Sequence, residues 1–243
     1  CYVGGVFGRV NTYCDVIKTI TASNPTVTCK STGNLNKALN IGSFAGGIFG
    51  HASQKLDMTS VTVTGNAALT IGEDANKATT TVSSVKAGFI GRSETNVNLD
   101  NWNIANSAIT INGSLTSGGC QIGGFVGFMQ STTNAPLTVK NITISGNSTV
   151  NITGNIPNGS QLGGFVGQLQ TGDAVTASTV VDGITMSAGT TTVSIGGNIT
   201  AGSHIGGFAG QIQGRSKTDN NLSVNNVTFS TSSITVGGKV TAG

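Results

Sequence analysis

The chain has 243 residues, only 9% of them charged, with 37 glycines and a net charge of +3. An ordinary soluble domain carries about 25% charged residues, so this surface is polar without being charged, as in material outside the cell. Lys and Arg are scattered, which excludes the basic stripe of a nucleic-acid protein, and no apolar run approaches the ~20 residues that span a bilayer.

The first element is a short phrase that occurs six times. It stands as Val3-Gly4-Gly5-Val6-Phe7-Gly8, Ile41-Gly42-Ser43-Phe44-Ala45-Gly46, Val85-Lys86-Ala87-Gly88-Phe89-Ile90-Gly91, Ile122-Gly123-Gly124-Phe125-Val126-Gly127, Leu162-Gly163-Gly164-Phe165-Val166-Gly167 and Ile205-Gly206-Gly207-Phe208-Ala209-Gly210. A period of this size marks a repeat architecture, in which each unit touches only its neighbours. The repeats run 1–40, 41–84, 85–120, 121–160, 161–203 and 204–243. Paired glycines inside an apolar strand mark a bend or a close backbone approach, so the phrase reads as the place where successive turns press together. The residue after them forms a Phe ladder: Phe44, Phe89, Phe125, Phe165 and Phe208. In the first repeat Val6 takes that place and Phe7 comes one later, a slip expected to move the ring to the other face.

A variable loop follows the phrase, as at Gln130–Pro136, Gln170–Ala177 and Gln213–Asn221. The second strand segment then aligns as Leu56 to Val63, Val97 to Ile104, Leu137 to Ile144, Thr179 to Met186 and Leu222 to Phe229. Its first, third, sixth and eighth positions are apolar. Alternation holds, skips one residue and resumes. The skipped place carries Thr59-Ser60, Asp100-Asn101, Lys140-Asn141, Asp182-Gly183 and Asn225-Asn226. Asn and Gly tolerate the left-handed backbone, so this is a corner or bulge whose asparagines are placed to stack as a ladder.

The third segment contributes the columns Leu69, Ile109, Val150, Val193, Ile234 and Ile71, Ile111, Ile152, Ile195, Val236. A second Gly/Asn corner follows, then Ala75, Leu115, Ile156, Ile199 and Val240. No stretch has helical periodicity. Apolar residues in fixed columns also exclude the disorder that a Gly/Ser/Thr-rich chain otherwise invites. Three strands, two corners and one loop per repeat predict an all-β parallel β-helix (β-solenoid) of about six coils of ~40 residues. A β-propeller is the rival, but its blades need four antiparallel strands. The chain opens on Cys1 beside one copy of the phrase and stops where another is due, so it reads as a segment of a longer array.

The Gly-Gly-Phe-Val-Gly phrases followed by Asn-rich alternating strands resemble the glycine-rich GLUG-type repeats of large secreted and cell-surface proteins, which usually carry Leu where this chain has Phe. The resemblance covers all six repeats. It implies an extracellular, adhesin-like or filament-forming context and transfers no catalytic residue.

Little in the chain points to chemistry. The acids are Asp15, Asp57, Glu73, Asp74, Glu94, Asp100, Asp173, Asp182 and Asp219. A glycosidase on such a fold needs two carboxylates converging on one face. Asp100 and Asp182 share a corner position with a whole repeat between them, and each reads as a solvated residue bonded to its own backbone. Glu73-Asp74 is a weak calcium signal with no matching acids elsewhere. His51 and His204 adjoin copies of the phrase without a nucleophile beside them, and no helix follows the Gly-rich stretches to make a phosphate site. The cysteines, Cys1, Cys14, Cys29 and Cys120, lack C-x-x-C spacing. Three lie in the first repeat, making Cys14 and Cys29 the candidate disulfide, with the pairing open; Cys1 and Cys120, three repeats apart, are too distant to bridge. No catalytic, metal or cofactor site is expected.

Asn-x-Ser/Thr occurs at Asn112, Asn141, Asn147, Asn151, Asn158, Asn198, Asn221 and Asn226, each an N-glycosylation acceptor in a eukaryotic secretory pathway. The leading reading is a non-enzymatic structural or adhesive segment of a surface protein or fibre. Its expected partners are further coils, by continuation or end-to-end self-association, and glycans. The alternative is a carbohydrate-active or glycan-binding β-helix with its site on the variable loops or outside this segment.

Overall fold

The computed structural model describes residues 1–11, 14–30, 34–35, 39–72, 81–82, 84–116, 119–132, 135–156, 158–172, 178–214 and 222–241, with the backbone alone at Asn34, Leu35 and Thr81. The described chain is all strand and turn, with no helix. Its strands pair in parallel, forming two large sheets of ten and eight strands and a small one of three. Antiparallel pairing among the described residues is confined to the isolated bridges His51–Gln54 and Thr132–Ala135.

Alternation makes this pairing possible. In parallel register each residue lies beside its counterpart one repeat on. Val61, Trp102, Ile142, Ile184 and Val227 form one column, and Leu69, Ile109, Val150, Val193 and Ile234 another. The first repeat joins through Ile20 beside Val61 and Val27 beside Leu69. A period of two presents the same face at every step, so apolar side chains meet apolar ones.

The second and third segments, separate strands in the sequence reading, run together as one in four repeats: Leu56–Ile71, Val97–Ile111, Thr179–Ile195 and Leu222–Val236. The skipped residue of the second segment bends the backbone without ending the strand. Thr19, Ser60, Asn101, Asn141, Gly183 and Asn226 all have φ between +51° and +67°, so one left-handed residue restores the alternation to the same face. The small third sheet pairs Asn34–Leu35, Thr81–Val82 and Ser114–Leu115. The parallel bridges Ile156–Ile199 and Ile199–Val240 extend it.

The interior holds two apolar clusters. One joins the Phe ladder to the second-segment columns, the other joins Ile41, Ala87, Ile122 and Leu162 to the third-segment columns. Successive rings of Phe44, Phe89, Phe125, Phe165 and Phe208 stack with centroids 4.9, 6.0, 4.9 and 5.1 Å apart. Trp102 stands edge-on to Phe44, Phe89 and Phe125, and its indole N–H donates to Met58 O at 2.9 Å. The clusters are divided by a column of small hydroxyl residues, Ser107, Ser148, Thr191 and Ser232. Ser148 Oγ donates to Gly164 O at 2.6 Å, and Ser107 Oγ to Gly124 O.

Phe7 does not point away. The phrase bends at its Gly-Phe step, so the two residues that follow the glycines both face inward, as Phe125 with Val126 and Phe165 with Val166. Phe7 pairs with Ala45, packs on the first cluster and meets Phe44 edge-on at 5.6 Å. The closing glycine is held for steric reasons. A Cβ on Gly127 would stand 2.6 Å from Ala87 N, one on Gly91 2.6 Å from Ile41 N, and one on Gly46 2.5 Å from Val3 N. The arm of the phrase after the bend thus lies on the arm before it, one repeat back, as well as against its own counterpart along the sheet.

Phe125→Ala removes the centre of the ring stack and is expected to cost about 3–5 kcal/mol; Phe125→Leu, which keeps most of the volume, costs clearly less. Chemical denaturation of the two variants checks this.

Candidate functional site

A gathering of charged, amide and aromatic side chains lies where the two arms of the phrase meet, apart from the two apolar clusters, and most of its members are buried or half-buried. The arm before the bend contributes the outward column Tyr2, Asn40, Lys86, Gln121, Gln161 and His204. The arm after it contributes Arg9, Gly47, Arg92, Phe128, Gln168 and Gln211, and, two residues on, Phe49, Glu94, Gln130, Gln170 and Gln213. The columns meet between the arms. Lys86 Nζ is 5.3 Å from the Phe128 ring centroid, and the Arg9 guanidinium is 4.7 Å from Tyr2 and 5.0 Å from Phe49. The Tyr2 and Phe49 rings meet edge-on at 5.5 Å.

Arg92 grips Glu94 with a two-bond fork, Nε to Oε1 and Nη2 to Oε2, each 2.7 Å. Both carboxylate oxygens are therefore engaged, and Glu94 offers no free base. Burial pushes the Lys86 ammonium below its usual pKa, Arg92 adds to that shift, and Glu94 and Cys120 oppose it. In register Lys86 lies between Asn40 and Gln121, whose buried side-chain oxygens have no hydrogen-bond partner. Amides continue the gathering: Gln121 Nε2 donates to Gln161 Oε1 at 3.2 Å, and Gln168 Nε2 to Gln170 and Gln211 at 2.9 Å each. These amides, rings and cations are packed on one another and mostly buried or half-buried, with Phe49, Phe128, Gln168 and Gln170 all between 5% and 8% exposed.

The acids singled out from the sequence hold repeats together. Asp100 and Asp182 do not bond their own backbone; Asn141 Nδ2 donates to Asp100 and Asn226 Nδ2 to Asp182, both at 2.8 Å. Asn141 and Asn226 thus each reach an aspartate one repeat back. Lys140 lies in register between Asp100 and Asp182. Asp57 takes bonds from Lys55 and Asn98, each at 2.8 Å. Burial raises its pKa, but those bonds and the charges of Lys55 and Lys18 outweigh it and hold it below the usual value. Glu73, Asp74, Asp173, Asp219 and Asn221 lie outside the described residues. Among the described residues no three His, Cys, Asp or Glu side chains gather as a metal-binding group.

The four cysteines are free thiols. Cys14 packs on the first apolar cluster and Cys29 on the second, so the candidate pair is divided between the two clusters. Burial raises the Cys120 thiol pKa. His51 Nδ1 bonds Ser53 Oγ at 2.7 Å, and His204 is exposed at the end of its column. Of the sequons, Asn141, Asn147, Asn158, Asn198 and Asn226 are exposed, while Asn112 and Asn151 are half-buried. Asn158 lies on a turn. Asn147 and Asn198 use Oδ1 to accept the N–H of Thr190 and Lys239.

Two of these features escape the sequence reading. The hydroxyl column had a signal, a Ser or Thr two places before the first apolar residue of the third segment. The gathering between the arms had none, because its members lie on both sides of a bend that only the fold closes. No protein-family model, curated protein or solved structure matches the chain. No helix of the described residues is long and apolar enough to cross a membrane.

Lys86→Met keeps the aliphatic stem on Phe128 and removes a buried charge. Because the folded-state pKa is depressed, the folded chain holds the Lys86 proton less tightly than the unfolded chain, which costs the fold stability at neutral pH. The variant should melt higher than the parent there, and the difference should shrink as pH rises toward the ordinary lysine pKa of about 10.4. Lys140→Glu places three carboxylates in adjacent register positions and should lower the melting temperature, most at low salt. Thermal melts across pH and ionic strength check both.

Proposed function

We propose that the chain is a segment of a parallel β-solenoid serving as a structural or adhesive element of a secreted surface protein or fibre, without catalysis. The observation that carries this is the register running from the first repeat to the sixth in both large sheets. At ~4.8 Å per stacked strand, six coils make a body on the order of 29 Å along the stack. The low charge content, the exposed Asn-rich corners and the resemblance to GLUG-type repeats support an extracellular setting. Exposed sequons such as Asn158 are acceptors in a eukaryotic secretory pathway.

A second reading is a glycan-binding module. The amides and rings gathered beside Lys86, with the unpaired buried oxygens of Asn40 and Gln121, favour it. A glycan array would show binding that Lys86→Met abolishes; no binding to any glycan removes this reading.

A solenoid tolerates loss of a whole unit. Deleting residues 121–160 brings the repeat at Gln161 onto the one at Lys86, since Gln121 pairs with both Lys86 and Gln161. The shortened chain should retain its β circular dichroism and a cooperative transition at lower stability; an unfolded product overturns the solenoid. Immunogold labelling of native cells should mark the surface or a fibre, and label confined to the cell interior would overturn the extracellular assignment.

A further inference from the structure

We propose that Lys86 and Asn40 join covalently, the lysine amine displacing ammonia from the asparagine carboxamide to leave an amide cross-link between two neighbouring repeats. The bond presupposes the repeat-to-repeat register of the solenoid reading. It is a single self-modification, without turnover. Asn40 and Lys86 are direct partners in the parallel pairing of Leu39–Phe49 with Val85–Glu94. Paired residues share a face on backbones about 4.8 Å apart, well within the span of a lysine side chain. Asn40 is only 5% exposed, and its Oδ1 has no hydrogen-bond partner, a costly state for a buried carbonyl. Gln121, the neighbour of Lys86 on the other side, also has an unpaired Oε1, but its Nε2 donates to Gln161 and ties that carboxamide to the next repeat. Asn40 is therefore the carboxamide placed to react.

The surroundings suit the step. A Cβ on Gly91 would stand 2.6 Å from Ile41 N and 2.9 Å from Lys86 O, so the chain leading into Arg92 rests on the peptides that follow Asn40 and Lys86. Arg92 Cζ lies 5.7 Å from the Phe49 ring centre and 5.6 Å from that of Phe128, and Lys86 Nζ lies 5.3 Å from Phe128. Both rings are buried. Burial, with a further push from Arg92, favours the neutral amine of Lys86, and the neutral amine is the nucleophile. Nζ attacks Asn40 Cγ, and the carbonyl electron pair moves onto Oδ1. The Arg92 guanidinium on the facing arm, whose Nη1 lies outside the fork with Glu94, supplies positive charge to that oxygen. The pair then returns, the Cγ–Nδ2 bond breaks, and a proton passes from Nζ to Nδ2, which leaves as ammonia. No oxidant or co-reactant is consumed. Holding the two groups side by side gives the reaction the rate advantage of an intramolecular step.

The mass of the intact, denatured chain tests this. The parent should be lighter than its sequence by one ammonia, and a tryptic digest should yield segment 38–55 joined to segment 78–92, uncut after Lys86. Asn40→Ala and Lys86→Arg should each restore the full sequence mass with the β circular dichroism unchanged, which separates the cross-link from loss of ammonia at any other asparagine. Gln121→Ala should leave the cross-link in place. With the amine open, Lys86→Met melts above the parent; with the bond closed the charge is already gone and only the variant lacks the tie, so the order reverses. A folded parent at its full sequence mass overturns the cross-link and leaves the solenoid standing. A bond from Lys86 to Gln121 overturns the choice of Asn40. A bond from Lys86 to a residue that is not its register neighbour overturns the cross-link and the solenoid reading together.

Discussion

A side chain at Gly127 would collide with the backbone of Ala87, and this close contact is what lets the two arms of the phrase pack together. The same collision recurs at Gly46 against Val3 and at Gly91 against Ile41. Only glycine lets the two arms of the phrase lie against each other, and only with the arms closed does the Gly-Phe bend carry two successive side chains inward. The stacked phenylalanines, the hydroxyl column against the phrase carbonyls and the polar gathering between the arms all follow from it. The phrase is thus a folding device, not a loop shaped around a ligand.

Parallel register also explains the low charge. When each residue lies beside its counterpart one repeat on, a charge kept through the repeats becomes a row of like charges about 4.8 Å apart. Uncharged polar residues gain from the same arrangement. Asn106 Oδ1 accepts the Asn147 N–H, Asn147 Oδ1 that of Thr190, Asn155 Oδ1 that of Asn198, and Asn198 Oδ1 that of Lys239. These side chains satisfy backbone donors at corners where sheet pairing is interrupted. Where charges do enter a column, as at Asp100, Lys140 and Asp182, they alternate in sign.

The side chains gathered where the two arms of the phrase meet are polar and charged yet mostly buried or half-buried. Their rings and amides pack against one another, and the Arg92–Glu94 fork neutralises one of the cations. Lys86 remains without a carboxylate of its own, between two unpaired amide oxygens.

Much of the fold was legible from periodicity because the interactions that make it are local or repeat identically. The columns through Val61 and Leu69, the left-handed corners at Ser60, Asn101 and Asn141, and the line of phenylalanines need only a period-2 strand and a constant offset. What the sequence could not decide depends on where separate segments meet. The inward turn of Phe7 comes from a bend that makes two consecutive residues face the same way. The merging of the second and third segments runs through register shifts, between Ile104 and Asn106 and between Met186 and Thr190, that the linear pattern does not mark. The partners of Asp100 and Asp182, and the meeting of Lys86 with Phe128, lie one repeat away or across the closed arms. A linear pattern specifies which residues recur; only the tertiary structure decides which recurring residues touch, because that depends on the angle at which the glycines let the chain fold back.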